Sequence, residues 1–189
     1  MNRLSVFCGS STGQENIYSE QAYMLGKTLA REKIGLVYGG TKVGLMGRVA
    51  DGVLDHGGEA VGVLPRFLQE KEIAHDNLTR LHLVNTLHER KALMNTLSNG
   101  AIALPGGFGT MEEFFEMLTW AQLQLHLKPV ALLNINGYYD ALIRLFDHMV
   151  NQGFLKQVNR NMVLSAENID DLLTRMRSYQ APAVGKWIG

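Results

Sequence analysis

Short apolar runs alternate with longer segments of helical spacing along this chain. That alternation limits its fold more than any other feature. Leu4 to Phe7, Ile34 to Tyr38, Ala60 to Leu64, Leu81 to Val84, Ala101 to Leu104 and Val130 to Leu133 read as strands, with Met162 to Leu164 as a candidate last one. Pro65 stops the third. Helical patterns fill the intervals at Ile17 to Glu32, Gly44 to His56, Leu87 to Ser98, Thr110 to His126, Tyr139 to Asn151 and Ile169 to Tyr179. Thr86, with Glu89 three residues on, is a capping box that starts the third helix. Short apolar strands are expected where helices cover both faces of a sheet. The pattern therefore predicts an α/β fold, a doubly wound, Rossmann-like parallel sheet in a single domain over residues 1–180, with a loosely held tail at 181–189. Ligands in such folds sit beyond the carboxyl ends of the strands.

Composition narrows the partners. The 189 residues hold 18 Lys plus Arg and 18 Asp plus Glu, a formal net charge of zero. This argues against a general nucleic-acid binder, which needs a basic surface. No apolar run approaches the roughly 18 residues of a membrane span. The N-terminus runs directly into a strand-like segment and lacks the pattern of a signal peptide. Cys8 is the one cysteine, so no internal disulfide can form. A cytoplasmic protein with no membrane or nucleic-acid partner is the expectation. His56, His75, His82, His88, His126 and His148 show no close ligand spacing, so no metal is expected.

Three strand ends carry the chemical signal. The first strand runs into Cys8-Gly9-Ser10-Ser11. The second runs into Gly39-Gly40, with Gly44 and Gly47 following. The strand at Ala101 runs into Pro105-Gly106-Gly107-Phe108-Gly109-Thr110. Glycines let the backbone approach a ligand, and amides at a helix N-terminus point at an anion. Each turn alone could be only a tight turn. Side by side, three would form a site for phosphate and ribose. Gly39 to Gly44 has the glycine spacing of a P-loop, but Leu45-Met46 stands where Lys-Ser/Thr is required. The turn at Gly106 is not G-x-G-x-x-G either, so neither ATP hydrolysis nor a dinucleotide site is supported.

Charged residues flank this turn. Leu87, Arg90, Met94 and Leu97 share one helical stripe, which points Arg90 toward the interior. A buried arginine needs a carboxylate or phosphate partner, although snorkelling or a structural ion pair would also account for it. Lys91 beside it can be read as solvated. Glu112, Glu113 and Glu116 follow the glycine turn. In a first helical turn, acids are favoured by the helix dipole, which suffices for two of the three. The remaining acid would lie close to a phosphate-binding turn, where Arg90 or the developing positive charge of a ribosyl oxocarbenium ion could compensate it.

Pro105-Gly106-Gly107-Phe108-Gly109-Thr110-Met111-Glu112-Glu113 reads as P-G-G-x-G-T-x-x-E. Together with Glu89-Arg90-Lys91, it resembles the LOG ("lonely guy") family of cytokinin riboside 5′-monophosphate phosphoribohydrolases. Val6-Phe7-Cys8-Gly9-Ser10-Ser11, Val37-Tyr38-Gly39-Gly40, Gly44-Leu45-Met46-Gly47 and Thr119-Trp120-Ala121-Gln122-Leu123 extend the resemblance, from about Ser5 to Ser165. Thr41-Lys42 departs from the small residues often found there in plant members. The resemblance implies hydrolysis of AMP, or of an N6-substituted AMP, to free base and ribose 5-phosphate, without a cofactor. It implies Arg90 and Glu113 as the catalytic pair. Glu72, Arg90, Lys91, Gly107, Phe108, Gly109, Thr110, Met111, Glu112 and Glu113 would contact substrate. It also implies a homodimer with the site near the subunit interface. Proteins of this type have often been labelled lysine decarboxylases, yet no lysine here has the context of a pyridoxal-phosphate site.

In the mechanism this suggests, Gly107, Gly109 and Thr110 hold the 5′-phosphate and Arg90 orients the substrate and Glu113. Glu113 then stabilises the oxocarbenium ion and assists water. Met94 and Trp120 are candidates for the base side, though each also fits plain core. The alternative is a non-catalytic nucleotide-binding or carrier module of the same fold, which has no need for a carboxylate beside a phosphate.

Overall fold

In the computed structural model, residues 1–69 and 74–182 are described, with the side chain of Gln69 excepted. Glu72 and most of the expected tail, 183–189, lie outside the described residues. Strand β1 (Arg3–Phe7) leads to α1 (Asn16–Arg31), β2 (Gly35–Tyr38), α2 (Gly44–Leu54), β3 (Ala60–Pro65), the short α3 (Arg66–Gln69) and β4 (Arg80–Val84). Then come α4 (Leu87–Leu97), β5 (Ala101–Ala103), α5 (Phe108–Gln122), β6 (Val130–Leu133), a 3-10 turn, α6 (Asp140–Asn151), α7 (Gln157–Arg160), β7 (Val163–Ala166) and α8 (Ile169–Ser178).

The strands form one sheet in the order β4-β3-β2-β1-β5-β6-β7. Every pairing is parallel, with register partners such as Leu4 with Leu36 and Val6 with Ile102. Alternate strand residues feed two cores. Leu4, Val6, Leu36 and Ile102 meet α1, α2 and α8 through Leu25, Leu29, Val53 and Leu172. Phe7, Val37, Ala101 and Ala103 meet α4, α5 and α6 through Met94, Phe114, Met117 and Phe146. The expected doubly wound α/β sheet is therefore present. Strand β4 is less apolar than its neighbours, with Arg80 exposed and His82 half-buried, because it lies at a sheet edge. At the contact of α1 with α2, glycine permits a close approach: a Cβ on Gly52 would lie 2.1 Å from the Tyr23 carbonyl oxygen.

Strand order fixes the ligand crevice. From β1 the chain steps outward to β4, then returns to the other side of β1 as β5 and steps outward the opposite way. The reversal puts a topological switch point between the carboxyl ends of β1 and β5, where open α/β sheets bind ligands. The two turns there are joined directly, Gly9 N–H donating to the Pro105 carbonyl at 3.0 Å.

Candidate active site

The first turn of α4 is fixed by its cap. Thr86 Oγ1 accepts from Glu89 N–H at 3.0 Å. The Glu89 carboxylate accepts from Asn85 N–H at 2.7 Å, one residue earlier than in the expected capping box. Arg90 then projects toward the switch point, where its Nη2 lies 3.2 Å from Glu113 Oε1 on α5, each side chain only 12% exposed. Gly39, at the end of β2, makes room for this guanidinium: a Cβ there would lie 2.6 Å from Arg90 Nη2. Gly39 thus serves the site by spacing; of the three glycine-bearing turns, those after β1 and β5 line the cavity, joined by Met46 of α2. Leu87, expected on the same inward stripe as Arg90, is 47% exposed.

Helix α5 begins at Phe108, with Gly107 as N-cap, two residues before the start expected from spacing. Glu112, Glu113 and Glu116 therefore lie beyond the first turn, and the helix dipole does not account for them. Each has a cation instead. Glu113 takes Arg90; Glu112 and Glu116 take Lys91, the latter at 3.1 Å. Reading Lys91 as solvated is overturned, since its side chain is 8% exposed. Burial pulls the Lys91 ammonium down, but hydrogen bonds to Glu112 and Glu116 outweigh it and hold the pKa above the ordinary lysine value. Burial raises the pKa of Glu113. Arg90 and Lys91 oppose that rise, and Glu112 and Glu116 add to it.

A cavity of about 250 Å³ opens beside the Arg90–Glu113 pair, lined also by Ser10, Gly107, Gly109 and Thr110. Gly107 and Gly109 differ from their neighbour Gly106. A Cβ on Gly106 would lie 2.1 Å from Thr110 Oγ1, whereas one on Gly107 or Gly109 would meet nothing within 4 Å. Neither has a left-handed φ. Local packing thus leaves both backbones open toward the cavity, beside first-turn amides that lack intrahelical acceptors. Arg90 Nε is buried without a hydrogen-bond partner, a donor suited to an oxygen-rich ligand. Cys8 and the exposed Phe108 also line this cavity, and burial pushes the Cys8 thiol far up, so it stays protonated.

Of the residues implied as substrate contacts, the cavity brings together Arg90, Gly107, Phe108, Gly109, Thr110 and Glu113. Lys91, Met111 and Glu112 do not line it; Met111 packs against the core of its face. Met94 and Trp120 also belong to that core and do not line it. Sequence reasoning missed Tyr138 and Tyr139, whose hydroxyls donate to the carbonyls of Gly106 at 2.8 Å and Leu104 at 2.5 Å. They brace the glycine turn from the end of β6. An aromatic pair just past a strand's carboxyl end was the available signal. Tyr138 also lines a neighbouring cavity of about 350 Å³ with Tyr18 and Leu45. Among the described residues, no three His, Cys, Asp or Glu side chains are grouped to hold a metal ion. No helix among them is long and apolar enough to cross a membrane.

Fold and site together define a doubly wound α/β protein with an open glycine turn and a nearly buried Arg–Glu pair at its switch point. Residues 46–176 match the family model described as "Possible lysine decarboxylase". The chain is 47% identical over 177 residues to a probable cytokinin riboside 5′-monophosphate phosphoribohydrolase of Oryza sativa subsp. japonica, covering 94% of this chain and 79% of that protein. It is 47% identical over 176 residues to the cytokinin riboside 5′-monophosphate phosphoribohydrolase of Rhodococcoides fascians, covering 93% and 89%. The chain belongs to this family, the LOG family of its relatives' names. In fold alone it is also similar to the Moco carrier protein of Chlamydomonas reinhardtii, with a TM-score of 0.71 at 21% identity over 93% of this chain and 94% of that one.

Proposed function

We propose that this protein hydrolyses the N-glycosidic bond of adenosine 5′-monophosphates, N6-substituted ones included, giving free base and ribose 5-phosphate. The observation that carries the reading is the Arg90–Glu113 pair, 3.2 Å apart and nearly buried, beside a glycine turn open to the cavity. A protein that only binds phosphate gains nothing from a buried carboxylate there, whereas cleavage through an oxocarbenium ion does. Relatives over more than nine-tenths of the chain carry the phosphoribohydrolase name. Among the described residues, no lysine lines the cavity to support imine chemistry, which speaks against the decarboxylase label.

In this proposal the 5′-phosphate rests on the amides of Gly107, Gly109 and Thr110, with the Thr110 hydroxyl beside them. Arg90 holds the ribose or phosphate and aligns Glu113. The C1′–N9 bonding pair leaves with the base, and the Glu113 carboxylate stabilises the cationic ribosyl group. Water then adds to C1′, and its proton passes through Glu113 to the departed base, giving the neutral base and restoring the Glu113 carboxylate. The substrate contacts that the resemblance implies for Glu72 and for the backbone of Met111 and Glu112 stay part of the proposal, the Glu112 carboxylate being taken up by Lys91.

A homodimer and a cytoplasmic setting also belong to it. The first is supported by exposed apolar side chains at the cavity's rim and on α4, Phe108 at 96% and Leu87 at 47%. The second rests on the lone, buried Cys8. The experiment is Glu113→Gln, assayed for base release from AMP and, by calorimetry, for AMP binding. Turnover should vanish while binding largely persists. Turnover at the wild-type level would refute the assignment.

A further inference from the structure

We infer that Lys91 is a positioning residue of the glycosidase centre and not a substrate contact: with Glu112 and Glu116 it forms a charge clamp that joins α4 to α5 beside the Arg90–Glu113 pair. The inference rests on the proposed hydrolase reading and refines it. Lys91 and Arg90 are adjacent on α4 yet diverge. Arg90 reaches into the cavity, whereas the Lys91 ammonium lies against Glu112 and, at 3.1 Å, Glu116. Glu112 and Glu116 are four residues apart and share a face of α5. Glu113, about 100° round the helix from Glu112, faces the cavity. Two contacts therefore tie the helices: Arg90 with Glu113 on the cavity side, and Lys91 with the flanking carboxylates away from it.

The clamp also balances charge. Arg90 and Lys91 face Glu112, Glu113 and Glu116, two positive groups against three negative. The Cys8 thiol is a further titratable group near Glu113, and its raised pKa keeps it neutral. Losing Lys91 leaves one cation against three carboxylates, and Glu113 must ionise in a more negative field. Its neutral form gains, so the carboxylate that the reaction needs forms only at higher pH. A substrate contact would behave otherwise, losing affinity without moving the protonation of Glu113.

The experiment compares pH–rate profiles for AMP hydrolysis, with kcat and KM separated, in wild type, Lys91→Met, the triple variant Lys91→Met/Glu112→Gln/Glu116→Gln, and Glu112→Gln/Glu116→Gln. Differences between variants cancel the ionisation of the substrate phosphate. In Lys91→Met the acid limb of kcat should move up by about one pH unit, with KM within about twofold of wild type. The triple variant, one cation against one carboxylate, should return the limb to the wild-type position or below it. Glu112→Gln/Glu116→Gln, which keeps Lys91, should move the limb down, so the claim stays open to refutation if Lys91→Met fails to fold. A tenfold higher KM with an unmoved limb in Lys91→Met, unrescued in the triple variant, would overturn the inference alone. So would an unmoved limb in Glu112→Gln/Glu116→Gln. No base release by wild type would overturn the hydrolase reading and this inference with it.

Discussion

Replacing Gly109 by alanine should make the protein more stable and worse at binding nucleotide. Gly109 lies in the first turn of α5, its φ is not left-handed, and a Cβ there meets nothing within 4 Å. Alanine then removes unfolded-state entropy at no steric cost, worth about 0.5–1 kcal/mol. For a chain of this size, that is a rise in Tm of roughly 1–4 °C. The same methyl group would project into the open side of the turn, where the 5′-phosphate is proposed to rest. A loss of AMP affinity of about tenfold or more is expected, on the order of 1.4 kcal/mol. Calorimetric titration of AMP, with Glu113→Gln as the background to prevent turnover, and a thermal melt of each protein supply the two readings. Unchanged AMP affinity would show that phosphate does not approach this backbone. A lowered Tm would show that the position is not free in the folded protein.

Gly39→Ala should displace the Arg90 guanidinium without removing it, since the added Cβ would lie 2.6 Å from Nη2. Steady-state kinetics should show kcat falling by about 100-fold, and retention of wild-type kcat would contradict the spacing role of this glycine. The raised pKa of Glu113 gives a signed pH dependence: activity that needs the carboxylate is full above the folded-state pKa and falls as pH drops through it. The acid limb of kcat/KM in the AMP assay, corrected for ionisation of the substrate phosphate, should therefore lie above the ordinary carboxylate range, and a limb within that range would show that Glu113 is not the group titrating. Gly52→Ala should destabilise by about 1–3 kcal/mol, because its Cβ would lie 2.1 Å from the Tyr23 carbonyl oxygen and the helices must separate. Urea unfolding measures this, and an unchanged midpoint would mean that α1 and α2 are not tightly apposed.

Much of the fold was legible because its strands, buried between helices, declare themselves as apolar runs. The elements that escaped, α3, the 3-10 turn and α7, are one turn long or less and carry no periodicity. The start of α5 escaped for another reason: glycine and phenylalanine at 107–109 do not signal a helix, so the acids at 112, 113 and 116 read as a first turn. That Arg90 needs an anionic partner was legible from a charge on an apolar stripe; Glu113 as that partner came from the family motif. That of Lys91 was not, because it depends on the crossing of α4 and α5, which local spacing does not encode. The bracing by Tyr138 and Tyr139 depends equally on the adjacency of β5 and β6.

Chromatographic analysis of products from AMP and isopentenyladenosine monophosphate separates a hydrolase from a carrier. Wild-type protein should release free base and ribose 5-phosphate in equal amounts, and Glu113→Gln neither. Tight binding of both nucleotides by wild-type protein, with no base released, would contradict the hydrolase reading and favour a carrier.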